Sequence, residues 1–309
     1  MLIGQPSPTE QDLLLFIAAM FVVGAATLAL ISMGALIRPK TRALATELWR
    51  LYGSEFLIVG AIVAPALVGG YLYLGVLLLF AVRVQFEFYV LQGLRPWALP
   101  RIAGFMAGCI LVVASYFLKV TGPYAVLWLI CMSALAMWLA LSPVVLVKSG
   151  TLATFVPILF PVSLIAALGQ IHQYPEGFAL LLFVYIVVET NDAFASLFGK
   201  LLGRIRPFPE LSPRKTLEGL VLGATSALMV GITLNHALYH FPLPSTVGAI
   251  LLILAGAITG DLLFSRLKRN RNLKDFPPIM ARHGGLLDIY DSLLVAAPIF
   301  FILGFPLLK

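Results

Sequence analysis

The sequence predicts an all-α, polytopic integral membrane protein with about ten transmembrane helices. Of its 309 residues, 61% are apolar and only 11% are charged, and the mean hydropathy is +1.00. Soluble domains carry about 25% charged residues, so this composition excludes an ordinary soluble protein. The apolar residues also fall into runs that are long enough to cross a bilayer as helices, which takes roughly 17 to 25 residues each.

Ten such runs follow one another along the chain, with eight or nine spans as alternatives. The first run follows Glu10 and Asp12 and precedes Arg38, which is not the basic-then-apolar pattern of a cleaved signal peptide. We therefore expect it to remain in the protein. The runs lie near residues 13–36, 54–71, 73–92, 102–119, 124–146, 152–171, 177–195, 216–234, 245–264 and 285–308.

The basic residues alternate between the predicted loops. If the N-terminus is outside, 18 of the 21 Lys and Arg residues lie on the inner side, as the positive-inside rule requires. The net charge is +7, and these cations would face an anionic leaflet. We expect a multi-pass protein of the inner (cytoplasmic) membrane, with its site facing the cytoplasm.

Polar residues inside or beside the spans divide the chain into two regions. Residues 1–176 carry few of them and are predicted to be a transmembrane scaffold, whereas residues 177–309 are predicted to be the catalytic region with cytoplasmic polar loops. The scaffold contains Arg83 and Glu87, which lie four residues apart and share a helix face. Because charge inside a span is costly, we expect a structural ion pair, with a substrate-lining Glu87 as the alternative.

The first polar cluster combines two carboxylates with a basic loop. Glu189 and Asp192 lie three residues apart on one predicted helix face, where they repel each other unless a cation or water lies between them. Further along, Ser212 and Pro213 are predicted to start a helix, with Lys215 in its first turns. Gly219 and Gly223 in that helix are expected to let another backbone approach closely. Free N–H groups, a hydroxyl and a lysine at a helix start favour phosphate binding. A solvated helix end and a capped helix with a basic flank are the alternatives.

The second cluster follows an apolar run. On a helix, Asp261, Ser265 and Lys268 form one narrow stripe. A carboxylate with a hydroxyl and cations at the edge of a span is typical of a metal and phosphate site. A self-contained salt bridge is the alternative.

The third cluster is the stretch KDFPPIMARHGGLLDIYD, which places Asp275, Asp288 and Asp291 around a histidine and two glycines. Carboxylate oxygens suit Mg²⁺, which takes one or two of them and completes its shell with water and substrate phosphates. A zinc site is not expected, since no second His or Cys lies at ligand spacing beside His283. Together the three clusters predict chemistry on a phosphorylated substrate.

These residues resemble the signature of the phosphatidate cytidylyltransferases, also called CDP-diacylglycerol synthases. That signature has the form S-x-x-K-R-x4-K-D, a short spacer, and then H-G-G-x-x-D-R-x-D. Agreement in several blocks is more specific than a single short motif. It covers about residues 185–298, and the matching positions are Ser265, Lys268, Arg269, Lys274, Asp275, His283, Gly284, Gly285, Asp288 and Asp291, preceded by Gly260, Asp261 and the stretch SPRKTLEG.

The chain departs from this pattern close to the predicted chemistry. Ala281 and Arg282 stand where the family usually has Pro-Gly, and Ile289 stands where it usually has Arg. A proline, Pro277 or Pro278, occupies a spacer position where a small residue is expected. Loss of a cation beside a metal-binding aspartate should weaken phosphate binding, and we hypothesise that Arg282 supplies the missing charge.

The resemblance implies transfer of CMP from CTP to phosphatidate, giving CDP-diacylglycerol and pyrophosphate, with Mg²⁺ as cofactor and a homodimer as the assembly. A nucleic-acid partner is not expected. The implied metal ligands are Asp275 and Asp288, with Asp261 and Asp291 nearby. The implied catalytic residues are Asp275, Asp288, Lys268 and His283. The implied substrate-binding residues are Ser212, Lys215, Ser265, Arg269, Lys274, Arg282, Asp192 and Glu189.

Two other functions stay open from the sequence. A CTP-dependent lipid kinase would transfer the γ-phosphate to an isoprenoid alcohol instead. A transporter or non-catalytic member is favoured by Ile289 and the lost Pro-Gly, but no repeat relating two halves of the chain is visible.

Overall fold

The computed structural model describes residues 7–37, 39–117, 126–134, 152–279 and 284–308, and within these ranges the chain is helical or in short connections, without strands. Eight of the described helices are long and apolar enough to cross a membrane. The predicted all-α membrane class is confirmed, and eight lies within the predicted range. Of the two other predicted spans, the one near 54–71 corresponds to a shorter apolar stretch, Tyr52–Val68, at the end of the helix Pro39–Val68, and most of 124–146 lies outside the described residues.

Contacts divide the chain into two compact units, Met1–Tyr73 and Leu74–Lys309. The first unit contains helices α1 (Pro8–Ile37) and α2 (Pro39–Val68), which pack against each other. The phenol of Tyr52 donates to the carbonyl oxygen of Phe21 at 2.5 Å, and its ring meets the Phe21 ring edge-on. The functional division predicted at residue 176 is a statement about chemistry and stays a prediction.

The second unit contains the remaining helices, and π-helical turns at Ile158–Val162, Asn235–Tyr239 and Phe300–Gly304 interrupt its longer apolar segments. Residues 126–134 are also helical. The other helices are α3 (Gly70–Leu91, which begins at the end of the first unit), α4 (Leu99–Phe117), α5 (Leu152–Pro157), α6 (Ser163–His172), α7 (Gly177–Leu202), α8 (Leu217–Leu234), α9 (Leu243–Arg269), α10 (Leu286–Ile289), α11 (Asp291–Ile299) and α12 (Phe305–Leu308).

Helices α7 and α8 pack closely because α8 presents glycines to α7. A Cβ atom added at Gly219 would lie 2.6 Å from the carbonyl oxygen of Ala195, and one added at Gly223 would lie 2.7 Å from that of Asn191. Small residues at four-residue spacing allow helix backbones to approach in this way. The close approach that the sequence predicts at Gly219 and Gly223 is confirmed.

Glycines also allow α9 to pack closely against α11. A Cβ atom at Gly256 would lie 2.8 Å from the Cα atom of Ala296, and one at Gly260 would overlap the carbonyl oxygen of Asp291. Asp261 follows Gly260 directly, so this close packing brings the aspartate near the start of α11.

Four helices therefore place polar residues at one end of the unit. Helices α7 and α9 approach that end with their C-terminal turns, whereas α8 and α11 leave it with their N-terminal turns. The residues that meet there come from four separate stretches of sequence.

Candidate active site

A cavity of about 330 Å³ lies at this end of the second unit. Its charged lining consists of four carboxylates and two cations, which come from α7, α9, the segment from α10 into α11, and the loop before α8. These charged residues are Asp192, Asp261, Asp288, Asp291, Arg214 and Lys215, and the hydroxyl and amide side chains between them are Asn191, Ser196, Ser212, Thr216 and Ser292.

The carboxylates Asp192 and Asp291 are each held by a neighbouring polar residue. Asp291 begins α11 and is only 7% exposed, and its Oδ1 accepts from the backbone N–H of Ser292 at 2.7 Å. In α7, the amide of Asn191 donates to Oδ1 of Asp192 at 2.9 Å. These contacts fix the two carboxylates, and both groups face the cavity.

The main cation of the cavity is Lys215. Its amine forms an ion pair with the carboxylate of Asp261. Burial lowers the pKa of Lys215, and the nearby carboxylates of Asp192 and Asp291 offset part of that effect. Lys215 thus lies among three carboxylates, whose negative charges outnumber its single positive charge.

Asp288, in α10, organises the loop that precedes this helix. Its Oδ1 accepts from the amine of Lys268 at 2.5 Å, and its Oδ2 accepts from the backbone N–H groups of Phe276 at 2.7 Å and Gly285 at 2.8 Å. The amine of Lys268 also lies 5.5 Å from the centre of the Phe276 ring. One carboxylate therefore binds the C-terminal part of α9 to both described ends of the loop.

This lining can bind a phosphorylated ligand only with added positive charge. Four carboxylates against two cations would repel a triphosphate, and one divalent cation would neutralise the two excess negative charges. Among the described residues, no three His, Cys, Asp or Glu side chains are grouped tightly enough to form a complete metal cage. An oxygen-rich cavity of this kind fits Mg²⁺, since Mg²⁺ binds through few carboxylates and shares its shell with substrate phosphates.

Comparison with known sequences decides the family. The sequence model of the cytidylyltransferase family matches residues 50–306. The chain belongs to the cytidylyltransferase family. This match confirms the resemblance that the polar clusters predict.

Among individual relatives, the chain is 34% identical over 155 residues to the phosphatidate cytidylyltransferase of Aquifex aeolicus (strain VF5), covering 50% of this chain and 56% of that protein. It is 34% identical over 143 residues to that of Synechocystis sp., covering 45% and 48%. It is 38% identical over 125 residues to the uncharacterized protein YnbB of Escherichia coli (strain K12), covering 40% and 42%. The chain thus spans about half the length of the curated relatives it matches.

Within this family member, several predicted site residues meet at the cavity and several do not. The cavity brings together Asp192, Ser212, Lys215, Asp261, Asp288 and Asp291. Lys268 is not in the lining, but its amine donates to Asp288, which is. Asp275 and Lys274 are exposed, Ser265 is buried, Arg269 donates to the carbonyl oxygen of Leu273, and Glu189 is half-buried in α7; none of these five is in the lining.

The predicted roles of these residues remain predictions. His283 and Arg282, together with Ala281, lie outside the described residues. Ile289 is part of the lining, so the position where the family usually has Arg does face the cavity. The hypothesis that Arg282 supplies the missing charge stays a prediction, because Arg282 lies outside the described residues.

One local prediction is wrong. Helix α8 begins at Leu217, and not at Ser212 and Pro213, because Thr216 is its N-cap and accepts from the N–H of Gly219 at 3.2 Å. The residues before it form turns, in which Lys215 N–H donates to the Ser212 carbonyl oxygen. A threonine directly before the apolar run, followed by Glu218, was the signal for this later start.

Sequence reasoning also missed residues that line the cavity. Asn191 and Ser292 each directly neighbour an aspartate of the site, and Arg214 directly precedes Lys215. Their adjacency to predicted residues was the available signal. Ser196 follows Asp192 by four residues, which places both on one face of α7.

Proposed function

We propose that this protein is a Mg²⁺-dependent phosphatidate cytidylyltransferase, which forms CDP-diacylglycerol and pyrophosphate from CTP and phosphatidate. The observation that carries the proposal is the cavity in which four aspartates and two cations meet, in a chain of the cytidylyltransferase family. Two of the relatives described above bear the name phosphatidate cytidylyltransferase, which supports this choice of substrates.

In the proposed reaction, a phosphate oxygen of the lipid attacks the α-phosphorus of CTP. A new P–O bond forms there, and the bond between the α-phosphorus and the bridging oxygen to the β-phosphorus breaks. The electron pair leaves with pyrophosphate. Alignment and charge neutralisation contribute most of the catalysis in a displacement of this kind, so a dedicated base is not required.

The side chains divide this work by charge. Lys215 and Arg214 would bind phosphate oxygens, and the hydroxyl of Ser212 would donate to them. Asp192, Asp261 and Asp291 are the proposed holders of Mg²⁺, with Asp288 and the predicted Asp275 as further candidates. When bound, Mg²⁺ supplies Lewis-acid stabilisation of the charge that develops on the phosphates.

The proposed setting is the inner face of the cytoplasmic membrane. The acyl chains of phosphatidate would stay in the bilayer while its headgroup meets the soluble nucleotide. The predicted excess of Lys and Arg on the inner side supports this orientation. A homodimer remains the expected assembly.

The proposal is tested with the purified full-length protein in mixed micelles of detergent and phosphatidate. We expect CTP to be consumed with equal amounts of CDP-diacylglycerol and pyrophosphate formed, only when Mg²⁺ is present, and we expect EDTA to stop the reaction. Consumption of CTP without a lipid product, or full activity in EDTA, would contradict the proposal.

A further inference from the structure

The carboxylate of Glu87 in α3 contacts a stretch of chain that follows it by about 200 residues. Glu87 is fully buried, and its two oxygens accept from the backbone N–H groups of Leu286 at 2.7 Å and Leu287 at 2.9 Å. These are the first two N–H groups of the short helix α10, which have no partner within the helix itself. Glu87 therefore caps α10 from outside.

Arg83, one helical turn before Glu87, contacts the other described end of the same loop. Its guanidinium donates to the carbonyl oxygen of Pro277 at 2.5 Å and to that of Pro278 at 3.3 Å. Its Nε donates to Oε1 of Glu87 at 2.8 Å, which confirms the predicted ion pair. The pair thus contacts the loop on both sides of residues 280–283.

The sequence of the loop matches this contact. A Cβ atom added at Gly285 would lie 2.5 Å from the carboxyl carbon of Glu87, so a larger residue there would push the carboxylate from the position in which it accepts from the two N–H groups. At Gly284, an added Cβ atom would overlap the carboxylate of Asp288. Each glycine of the pair therefore makes room for a different carboxylate.

The helix that Glu87 caps carries two residues of the cavity lining. Asp288 and Ile289 belong to α10 and line the cavity, whereas Glu87 is not part of the lining. Displacement of α10 would move both residues relative to Asp261 and Asp291. A misplacement of about 1 Å can cost an enzyme about 100-fold in rate.

We infer that Arg83 and Glu87 are positioning residues, which hold the Gly284–Ile289 segment against α3 so that Asp288 and Ile289 face the cavity. The expected effect on turnover rests on the proposed function, but the expected stabilisation of the segment by Arg83 and Glu87 does not. This assigns to the predicted scaffold a role in shaping the site, and it replaces the alternative in which Glu87 itself contacts substrate.

The test compares Glu87→Gln with the wild-type protein, with the exposed Glu176→Gln as a matched control. Hydrogen exchange of peptides that contain residues 284–290 measures the hold on the segment. We expect exchange there to rise by about tenfold or more in Glu87→Gln, with exchange in α7 and α8 unchanged, and no rise in the control. Unchanged exchange of residues 284–290 would overturn the inference.

Turnover separates a positioning role from a merely structural one. We expect kcat per folded molecule to fall by about 10- to 100-fold in Glu87→Gln, with a smaller change in KM for CTP. Loss of folded protein with an unchanged kcat per folded molecule would overturn the positioning role. If the wild-type protein made no CDP-diacylglycerol, the proposed function would fail. The comparison of hydrogen exchange would still show whether Glu87 holds residues 284–290 in place.

A second pair of variants approaches the same contact from the loop. Gly285→Ala should raise exchange of the segment, because its methyl group displaces the Glu87 carboxylate. In the double variant Gly285→Ala with Glu87→Asp, the shorter acid leaves room for that methyl group, and the exchange should rise less than the two single effects predict together. Strictly additive effects would count against direct contact as the cause.

Discussion

The amine of Lys215 forms an ion pair with the carboxylate of Asp261, and this contact joins the loop before α8 to the C-terminal third of α9. In the proposed enzyme, incoming phosphates would compete with Asp261 for Lys215. The carboxylate that is released would then be available to a divalent cation. The pair is therefore expected to separate when Mg²⁺ and CTP bind together.

Asp291→Asn should lower turnover by about 100-fold or more, since loss of one group that stabilises transition-state charge has an effect of that size. The substitution keeps the shape of the side chain and removes its charge. Initial rates of CDP-diacylglycerol formation at saturating CTP measure the effect. Asp12→Asn, at an exposed position in the first unit, serves as the control and should leave the rate unchanged. Equal rates for Asp291→Asn and the wild-type protein would remove Asp291 from the proposed metal site.

Lys215 should set an alkaline limit to activity. Its protonated form binds phosphate, so that function is present at low pH and is lost as the pH rises through the pKa of Lys215, which burial lowers. The fall in kcat/KM should therefore lie below the ordinary titration range of lysine. In Lys215→Arg the fall should move to higher pH, because arginine stays protonated.

The pH profile of Lys215→Arg needs the wild-type profile in the same buffers as its reference. A lower overall rate in the variant is expected, because the guanidinium is larger than the amine. The test depends on the pH at which kcat/KM falls on the alkaline side of the profile. An alkaline limb at the same pH in both proteins would mean that another group titrates.

Lys268→Met should destabilise the second unit, because the largely buried carboxylate of Asp288 would lose its charged partner. Removing one member of a buried ion pair costs about 3 to 5 kcal/mol in the free energy of unfolding. Denaturation of the purified protein by SDS measures the change. The double variant Lys268→Met with Asp288→Leu should lose less than the sum of the two single variants, and a simple sum would argue against direct pairing.

Gly223→Ala should force α8 away from α7. The new methyl group would lie 2.7 Å from the carbonyl oxygen of Asn191 and 2.9 Å from the N atom of Ala195, and neither backbone atom can move alone. Overpacking of this kind costs about 1 to 3 kcal/mol. Gly75→Ala is the matched control, since nothing lies within 4 Å of its added Cβ atom. Equal stability of the two variants would show that the contact between α7 and α8 is looser than described.

Local sequence patterns were sufficient to predict most of the membrane helices and the four aspartates and Lys215 of the cavity, but not Arg214. Hydropathy identified the spans, and the i, i+3 and i, i+4 spacings placed Asp192 and Asp261 on helix faces. The glycines of α8 predicted that another backbone approaches this helix closely. These features depend on residues within one or two helical turns of one another.

The remaining features depend on contacts between residues far apart in sequence. The hydrogen bonds of Glu87 span 199 and 200 residues, so no local period indicates them. Lys268 and Asp288 are separated by a loop, and their pairing follows from the path of that loop. The position of Asp275 could not be predicted either. The motif groups it with Asp288, but the path of the chain leaves Asp275 exposed and outside the lining.

The most direct test of the proposed reaction is a pair of incubations of the purified protein with phosphatidate, Mg²⁺ and CTP, with CTP labelled at the α-phosphorus in one and at the γ-phosphorus in the other. A cytidylyltransferase transfers the α-label to lipid and releases the γ-label in pyrophosphate, and this is the result we expect. Appearance of the γ-label in lipid would indicate a CTP-dependent kinase. Absence of both labels from lipid, with CTP still bound, would contradict transferase activity altogether.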